Sequence, residues 1–391
     1  PLYVIGSNGS PPDYMFVVEA RFKANGSLVK TWTFNPTNLS DNLFSCVVFK
    51  DKLYIVGVEN VNPYGIPQTD SRWAIIVLSA DLSLVKYATY NPSPGEDSPR
   101  AILAIGGHLY IVGRVDIYGA ERRYRVELRD PETLEPVKGA ELTGIPIHAK
   151  FNKATGELWV LKQSSNGSEV DIISGNLEYI KTVNTKRLIC RSLAFDDEGN
   201  AYIACRHPGG LGLVATIDKL DKNGNKIKST TIQSTSEYWL EPEAVETYGD
   251  YILLAGDKVG QKTIRPTLLI LDRNLSVIEE KTIAGEDQYT EYPIATVTEM
   301  LVEGDKIYLL GGLGRSLDDP GIRVLYSLTV RASEASEQKT TITKTITQTL
   351  TIKETLTTTK TITLTQKETI TLLKEYTITQ TLLKGYTITQ E

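Results

Sequence analysis

The sequence contains very few of the side chains that most often carry enzyme chemistry. Among 391 residues there are three histidines, three cysteines and two methionines. His108, His148 and His207 are scattered, and none has a partner at the spacing of a zinc site or of a Ser-His-Asp arrangement. We therefore predict no catalytic residues, no metal site and no cofactor, so the protein is expected not to be an enzyme.

Long apolar runs and basic clusters are also missing. No apolar run approaches the roughly 18 residues of a transmembrane helix, so we predict no membrane span within this chain. The formal net charge is −6 and no stripe of Lys and Arg stands out, which argues against a nucleic-acid partner. A hydrophobic content of 41% is still enough for one large domain or two ordinary ones.

A short phrase recurs seven times in the first 331 residues. Each copy is an apolar run with an aromatic side chain near its start, preceded by a turn and typical of a β-strand. The copies recur at roughly 50-residue intervals, as expected for repeat architectures. They are PLYVIGS (1–7), KLYIVGV (52–58), HLYIVGR (108–114), ELWVLKQ (157–163), NAYIACR (200–206), DYILLAG (250–256) and KIYLLGG (306–312).

Further β-rich runs surround each copy of the phrase. Two runs follow it around a tight turn of Asn, Gly, Asp or Pro, and most copies are preceded by another run. No helical period appears in this region. Seven four-stranded units predict an all-β chain, with a seven-bladed β-propeller over residues 1–331 followed by an extended Thr-rich β-type tail.

The repeat region resembles the Kelch and NHL classes of β-propeller. The resemblance rests on the LYIVG-like phrase, on the turn and strand of Asp196–Tyr202, and on the double glycine Gly311–Gly312. It implies a rigid scaffold whose longer connections share one face, where recognition is usually carried.

This long-loop face is the candidate surface for a glycan or protein ligand. Tyr and Trp are favoured at such contacts, although ordinary loop packing would use them too. The candidate residues are Tyr64, Tyr118, Tyr238, Trp239, Tyr289 and Tyr292. The same loops carry acidic residues that we expect to be mostly solvated, namely Asp70, Asp97, Asp116, Asp257, Asp287, Asp318 and Asp319.

Two features indicate secretion. Cys190 and Cys205 flank the turn DDEGN, so a hairpin there would allow a cross-strand disulfide, with two buried thiols as the alternative. Cys46 has no evident partner. The Asn-x-Ser/Thr acceptors predict glycosylation on the surface of an extracellular protein. They are Asn8, Asn25, Asn38, Asn166 and Asn274.

The C-terminal part follows a polar linker at 332–339 and consists of residues 340–391, of which 21 are threonine. Threonine occupies mostly odd positions, and apolar residues occupy even ones, which is the period of a β-strand. A disordered, O-glycosylated stalk and a coiled coil are the competing interpretations. The even apolar positions, which we predict to mediate assembly, are Ile342, Ile346, Leu350, Ile352, Leu356, Ile362, Leu364, Ile370, Leu372, Tyr376, Ile378, Leu382, Tyr386 and Ile388.

The combination of a propeller head and a Thr-rich tail resembles archaeal secreted cell-surface proteins. The scarcity of Met and His beside 20 tyrosines also indicates a thermophile. We expect an extracellular, non-enzymatic structural protein whose tail contacts other copies of the chain in a filament, stalk or surface layer. A lone tail is expected to be disordered. The alternatives are a monomeric surface-binding protein and a secreted propeller hydrolase or lyase.

Overall fold

The structure is a computed structural model. It describes most of the repeat region and three segments of the tail. The described residues are 1–10, 13–60, 71–116, 122–209, 212–232, 238–260, 263–283, 294–314, 322–332, 340–349, 359–372 and 376–389. Every regular element in these residues is a β-strand.

Seven consecutive antiparallel meanders make this an all-β chain with a seven-bladed β-propeller fold, which confirms the predicted fold class. The chain divides into two compact units, and each is described separately. The N-terminal unit comprises Pro1–Lys23 and Leu28–Ile189, and the C-terminal unit comprises Ala24–Ser27 and Cys190–Glu391.

The N-terminal unit contains four blades. The first has three strands among the described residues, and the other three have four each. The first is β1 (Leu2–Ser10), β2 (Asp13–Arg21) and β3 (Leu28–Phe34); the second is β4 (Asn42–Phe49), β5 (Lys52–Asn60), β6 (Ser71–Ser79) and β7 (Leu84–Tyr90). The third is β8 (Ser98–Ile105), β9 (His108–Val115), β10 (Arg123–Arg129) and β11 (Pro136–Thr143); the fourth is β12 (Ile145–Asn152), β13 (Glu157–Ser164), β14 (Gly167–Ser174) and β15 (Tyr179–Arg187).

The C-terminal unit contains three blades and the tail strands. The fifth blade is β16 (Ile189–Phe195), β17 (Ala201–Gly209), β18 (Gly212–Leu220) and β19 (Lys226–Ile232). The sixth is β20 (Tyr238–Tyr248), β21 (Tyr251–Gly260), β22 (Ile264–Asp272) and β23 (Val277–Thr282); the seventh begins with β24 (Ile294–Glu303), β25 (Lys306–Gly314) and β26 (Ile322–Ala332). The tail strands are β27 (Thr340–Thr349), β28 (Thr359–Leu372) and β29 (Tyr376–Thr389).

The recurring phrase forms the second strand of each complete blade, where its apolar side chains are buried. In the second blade, Leu53, Tyr54, Ile55 and Val56 are all at most 1% exposed. Within each unit, the hydrophobic clusters join neighbouring blades, for example the second to the third. The phrase therefore recurs because every second strand packs against adjacent blades on both of its faces.

The sixth residue of the phrase, which is the seventh in DYILLAG, is usually glycine because a β-bulge in the first strand lies opposite. Bulges occur around Phe44, Arg100, Ile147, Glu243 and Thr298, as shown by the shifts in strand register. A Cβ atom added at Gly57 would lie 2.4 Å from the carbonyl oxygen of Asn42, and one at Gly256 would lie 2.3 Å from that of Glu241. Backbone is thus too close for a side chain at these points.

Two copies of the phrase depart from glycine at this position. The fourth blade has Lys162, which is opposite Pro146. The fifth blade has Cys205, which is bonded to Cys190 on the neighbouring strand, with a sulfur–sulfur distance of 2.01 Å. The structure thus contains the disulfide proposed from the turn DDEGN, while Cys46 is not disulfide-bonded.

The tail continues the sheet of the seventh blade. Strand β27 pairs antiparallel with β26, from Ala332 opposite Thr340 to Val324 opposite Gln348. Strand β29 then pairs parallel with β27, and β28 pairs antiparallel with β29. The tail was expected to become ordered only against other copies, but here it pairs with its own blade and with itself, because β26 offers an open edge.

Candidate functional site

In four blades, the strand that follows the recurring phrase carries an acidic residue at one equivalent position. This position is opposite the centre of the recurring phrase and holds Glu19, Glu127, Asp171 and Asp218, whereas the second and sixth blades hold Ile76 and Leu269. Glu127, Asp171 and Asp218 are fully buried. A buried carboxylate requires a cation or several hydrogen-bond donors to offset its loss of hydration.

Each of these carboxylates has such a partner. Glu127 contacts Arg125 and Arg129 at 2.6 and 2.5 Å, and the Lys226 amine lies 2.7 Å from Asp218. The cations lie on different strands in different blades. Each buried carboxylate is therefore neutralised, but the position of the neutralising residue in the sequence differs from blade to blade.

The fourth blade has the most complete of these networks. Asp171 accepts hydrogen bonds from the hydroxyls of Tyr124 and Thr182, both at 2.5 Å, and its second contact at Oδ2 is the Lys162 amine at 2.8 Å. Lys162 also donates to the backbone oxygen of Thr143 at 3.1 Å. Burial and the adjacent Asp171 carboxylate raise the pKa of Tyr124 well above its usual value, so it stays a hydroxyl donor.

This network forms the base of a cavity between the third and fourth blades. The cavity has a volume of about 520 Å³ and lies within the N-terminal unit. Its wall includes the end of β11 together with residues of β13, β14 and β15. Sequence reasoning missed it, although Lys162 in the place of a repeated glycine was a visible signal.

A second group of charged side chains lies in the C-terminal unit, where β17 and β21 end and β20 begins. Arg206 contacts Glu241 at 2.5 Å, and the indole nitrogen of Trp239 donates to the same carboxylate at 3.1 Å. The Lys258 amine lies 3.5 Å from the centroid of the Tyr238 ring. Two of the predicted binding residues therefore lie together, and both are engaged by neighbouring charged side chains.

Asp257 also belongs to this group, and its carboxylate is not ion-paired with any residue that the structure describes. Burial, together with the neighbouring Glu243 and Glu241, raises the pKa of Asp257 to about 8, although its carboxylate accepts the backbone N–H of Val297 at 2.8 Å. Burial also raises the pKa of Glu243. At neutral pH this edge consequently carries fewer negative charges than its sequence suggests.

The expectation that the acidic loop residues are mostly solvated was wrong for Asp97 and Asp257. Asp97 is fully buried and accepts the backbone N–H and the hydroxyl of Ser93, at 2.9 and 2.6 Å. Thr37 and Asp41 repeat this arrangement before the preceding blade. The shared spacing, a hydroxyl residue four positions before an aspartate, could have revealed these loop-closing acids.

The remaining loop predictions fall in two groups. Tyr64, Tyr118, Tyr289 and Tyr292 lie outside the described residues, as do Asp70, Asp287, Asp318 and Asp319. Asp116 is half-buried and ion-paired with Arg114. All five predicted glycosylation acceptors are exposed: Asn8, Asn25, Asn38, Asn166 and Asn274.

Most predicted assembly residues lie in the tail strands. The register places Ile342 opposite Ile378, Ile346 opposite Leu382 and Ile370 opposite Ile378. Even-numbered positions therefore pair with even-numbered positions. Leu350, Ile352 and Leu356 lie outside the described residues, and the others are Ile362, Leu364, Leu372, Tyr376, Tyr386 and Ile388.

One of the three histidines, His148, lies in β12. Burial lowers the pKa of His148 to about 3, so its imidazole is neutral at physiological pH. Across the described ranges no three His, Cys, Asp or Glu side chains are grouped as metal ligands. Within the same ranges there is also no helix that could cross a membrane.

Comparisons with known proteins give structural likeness only. No family model matches the sequence, and no curated protein matches it significantly. A structure described as the Dos1 propeller is similar with 11% identity and a TM-score of 0.49, covering 80% of this chain and 78% of the other. The dihydro-heme d1 dehydrogenase NirN in complex with DHE is similar with 14% identity and a TM-score of 0.45, covering 82% and 64%.

The quinohemoprotein alcohol dehydrogenase ADHIIG from Pseudomonas putida HK5 is also similar. Its identity is 8% and its TM-score 0.45, over 83% of this chain and 69% of that one. At such identities and scores, no activity is transferred to this protein.

Proposed function

We propose that the protein is a non-enzymatic extracellular structural protein in which the propeller is the head and the tail joins copies of the chain. The continuation of the seventh-blade sheet into β27, β29 and β28 carries this proposal. Strand β28 ends the sheet, with one strand neighbour among the described residues. An open edge of 14 residues is a template for a strand of another copy.

The composition of the tail supports pairing between copies. Its alternating Thr and apolar residues favour strands, and its repeated decapeptide-like ending offers the same pattern to every neighbour. Backbone hydrogen bonds between strands of different copies would give a filament, a stalk or a surface layer. The Cys190–Cys205 disulfide and the five exposed acceptors support an extracellular location.

Two sets of lysine substitutions test the proposal in the full-length chain. We expect the unaltered chain to form polymers detectable by negative-stain imaging and light scattering. We expect I362K/L364K/I370K to abolish them, because it places charge in the apolar rows. The matched set T361K/T363K/T365K adds the same charge to threonine rows and should leave polymers in place. Full-length protein that stays monomeric at all concentrations, or polymers that survive the first set, would contradict the proposal.

A further inference from the structure

The cavity of the N-terminal unit has a base that the propeller fold does not require. In the second blade the equivalent pair of positions holds Gly57 and Ile76, and in the sixth it holds Gly256 and Leu269. The fourth blade instead holds Lys162 and Asp171, whose side chains are 5% and 0% exposed. Two charges have thus been placed in the interior at a point where an apolar pair is sufficient.

The charges at the base compensate each other. Lys162 contacts Asp171 at 2.8 Å, with Glu169 at 3.7 Å, and Thr182 donates to Asp171 from the outer strand. The base is therefore fixed and polar, and it lacks an uncompensated cation that would attract an anionic ligand.

The rim of the cavity offers an aromatic ring beside a carboxylate. Tyr179 is 57% exposed, and its hydroxyl lies 3.0 Å from that of Thr182, which holds the ring in place. Glu141 is anchored by Arg125 at 2.8 Å, and its side chain is still 40% exposed. Because Arg125 already offsets its charge, Glu141 is suited to accept hydrogen bonds from hydroxyls rather than to bind a cation.

We propose that this cavity binds the ring of a neutral hexose, presented as part of a glycan. The apolar C–H face of a sugar ring packs on an exposed aromatic face such as that of Tyr179, while its hydroxyls pair with carboxylate, hydroxyl and backbone oxygen groups. The volume of about 520 Å³ accommodates at least one such ring. The site is independent of the tail, so its failure would leave the assembly proposal untouched.

The test is saturation-transfer NMR and calorimetry of the full-length chain with methyl glycosides of glucose, mannose and galactose, and with a neutral glycan array. Binding of at least one neutral probe is expected, with the affinity falling by about tenfold or more in Y179A and in E141Q, as for a residue central to a contact. Y179F keeps the ring and should retain most of the affinity.

Ile180 supplies the matched control, because it is the exposed neighbour of Tyr179 on β15 and does not line the cavity. I180A should bind as the unaltered protein does. The proposal is overturned by an absence of binding to every neutral probe, by affinity that is unchanged in Y179A, or by stronger binding of glucuronides than of neutral glycosides.

Discussion

The second and fourth blades have the same strand arrangement but differ in the side chains at two equivalent interior positions, which are apolar in one blade and charged in the other. Both place the recurring phrase in the second strand, facing a bulge in the first strand. The second blade uses Gly57 and Ile76 at the two equivalent positions, and the fourth uses Lys162 and Asp171. The fold therefore specifies where the strands approach each other, but it leaves open whether that point is apolar or ionic.

The fifth blade provides a third solution. Cys205 occupies the glycine position, and Cys190 lies across from it, so a covalent bond joins the strands where other blades bring backbone close together. The three blades thus contrast steric, electrostatic and covalent contacts made from this position of the second strand.

The largest loss of stability is expected when one partner of the Lys162–Asp171 ion pair is removed. K162G removes the cation of the fully buried Asp171 and should destabilise the protein by about 3–5 kcal/mol, as for other broken buried pairs. Chemical denaturation of the full-length chain measures this change.

The double variant K162G/D171I converts the fourth blade to the residues of the second. We expect it to recover at least half of the loss, with a remaining cost of about 1–2 kcal/mol because Tyr124 and Thr182 lose their acceptor. A double variant less stable than K162G would show that the two blades are not interchangeable in this way.

Removing the disulfide of the fifth blade should cause the next largest loss of stability. C190S/C205S removes a bond that closes 15 residues and should cost about 3 kcal/mol. The control C190P/C205G installs the residue types found opposite each other at Pro99–Gly113 and Pro242–Gly256. It should unfold at a higher denaturant concentration than the serine variant. Equal midpoints would refute the equivalence of the two pairs.

The close approach of backbone to Gly57 in the second blade is tested by adding one methyl group. G57A places a Cβ atom 2.4 Å from the carbonyl oxygen of Asn42, and we expect a loss of about 1–3 kcal/mol from the forced backbone shift. Gly106 has a φ of +58° with no atom within 4 Å of the added Cβ, so G106A should cost about 1–2 kcal/mol through conformation alone. Thermal denaturation of the pair, with crystal structures, separates the two causes; an unshifted β4 in G57A would contradict the steric account.

The last comparison depends on pH and concerns Asp257, whose carboxylate, unlike that of Asp171, is not ion-paired with any residue that the structure describes. Its pKa is raised from 3.8 to about 8, so the folded protein binds more protons than the unfolded chain between these values. This contribution to stability is therefore present at low pH and decreases as pH rises towards 8. D257N should flatten that part of the stability profile. An unchanged slope would show that Asp257 ionises normally.

Much of the fold could be predicted because the repeat consists of apolar runs and turn residues that are recognisable in the sequence. Seven phrases indicated seven blades, and the turn DDEGN placed Cys190 beside Cys205. The glycine of the phrase was visible, but its cause was not, since the opposing bulge depends on contacts between strands. Local pattern likewise did not reveal that Asp171 and Lys162 meet, because charge compensation across β13 and β14 is a tertiary property.

The loop acids show the same limit. Asp97 lies in a polar loop, and composition alone predicts solvation, yet Ser93 and the chain backbone satisfy the carboxylate inside the protein. For the tail, alternation predicted strands, but the order in which β27, β29 and β28 pair depends on contacts between strands that no local pattern describes.

The even-with-even register of the tail has a mechanical consequence. Moving β28 along β29 by two residues would again set even positions against even positions, so many alignments have similar chemistry. Each such displacement is about 6.8 Å. Under tension, a sheet of this kind would lengthen in small steps and re-form after each one, so the tail would absorb load by sliding instead of breaking.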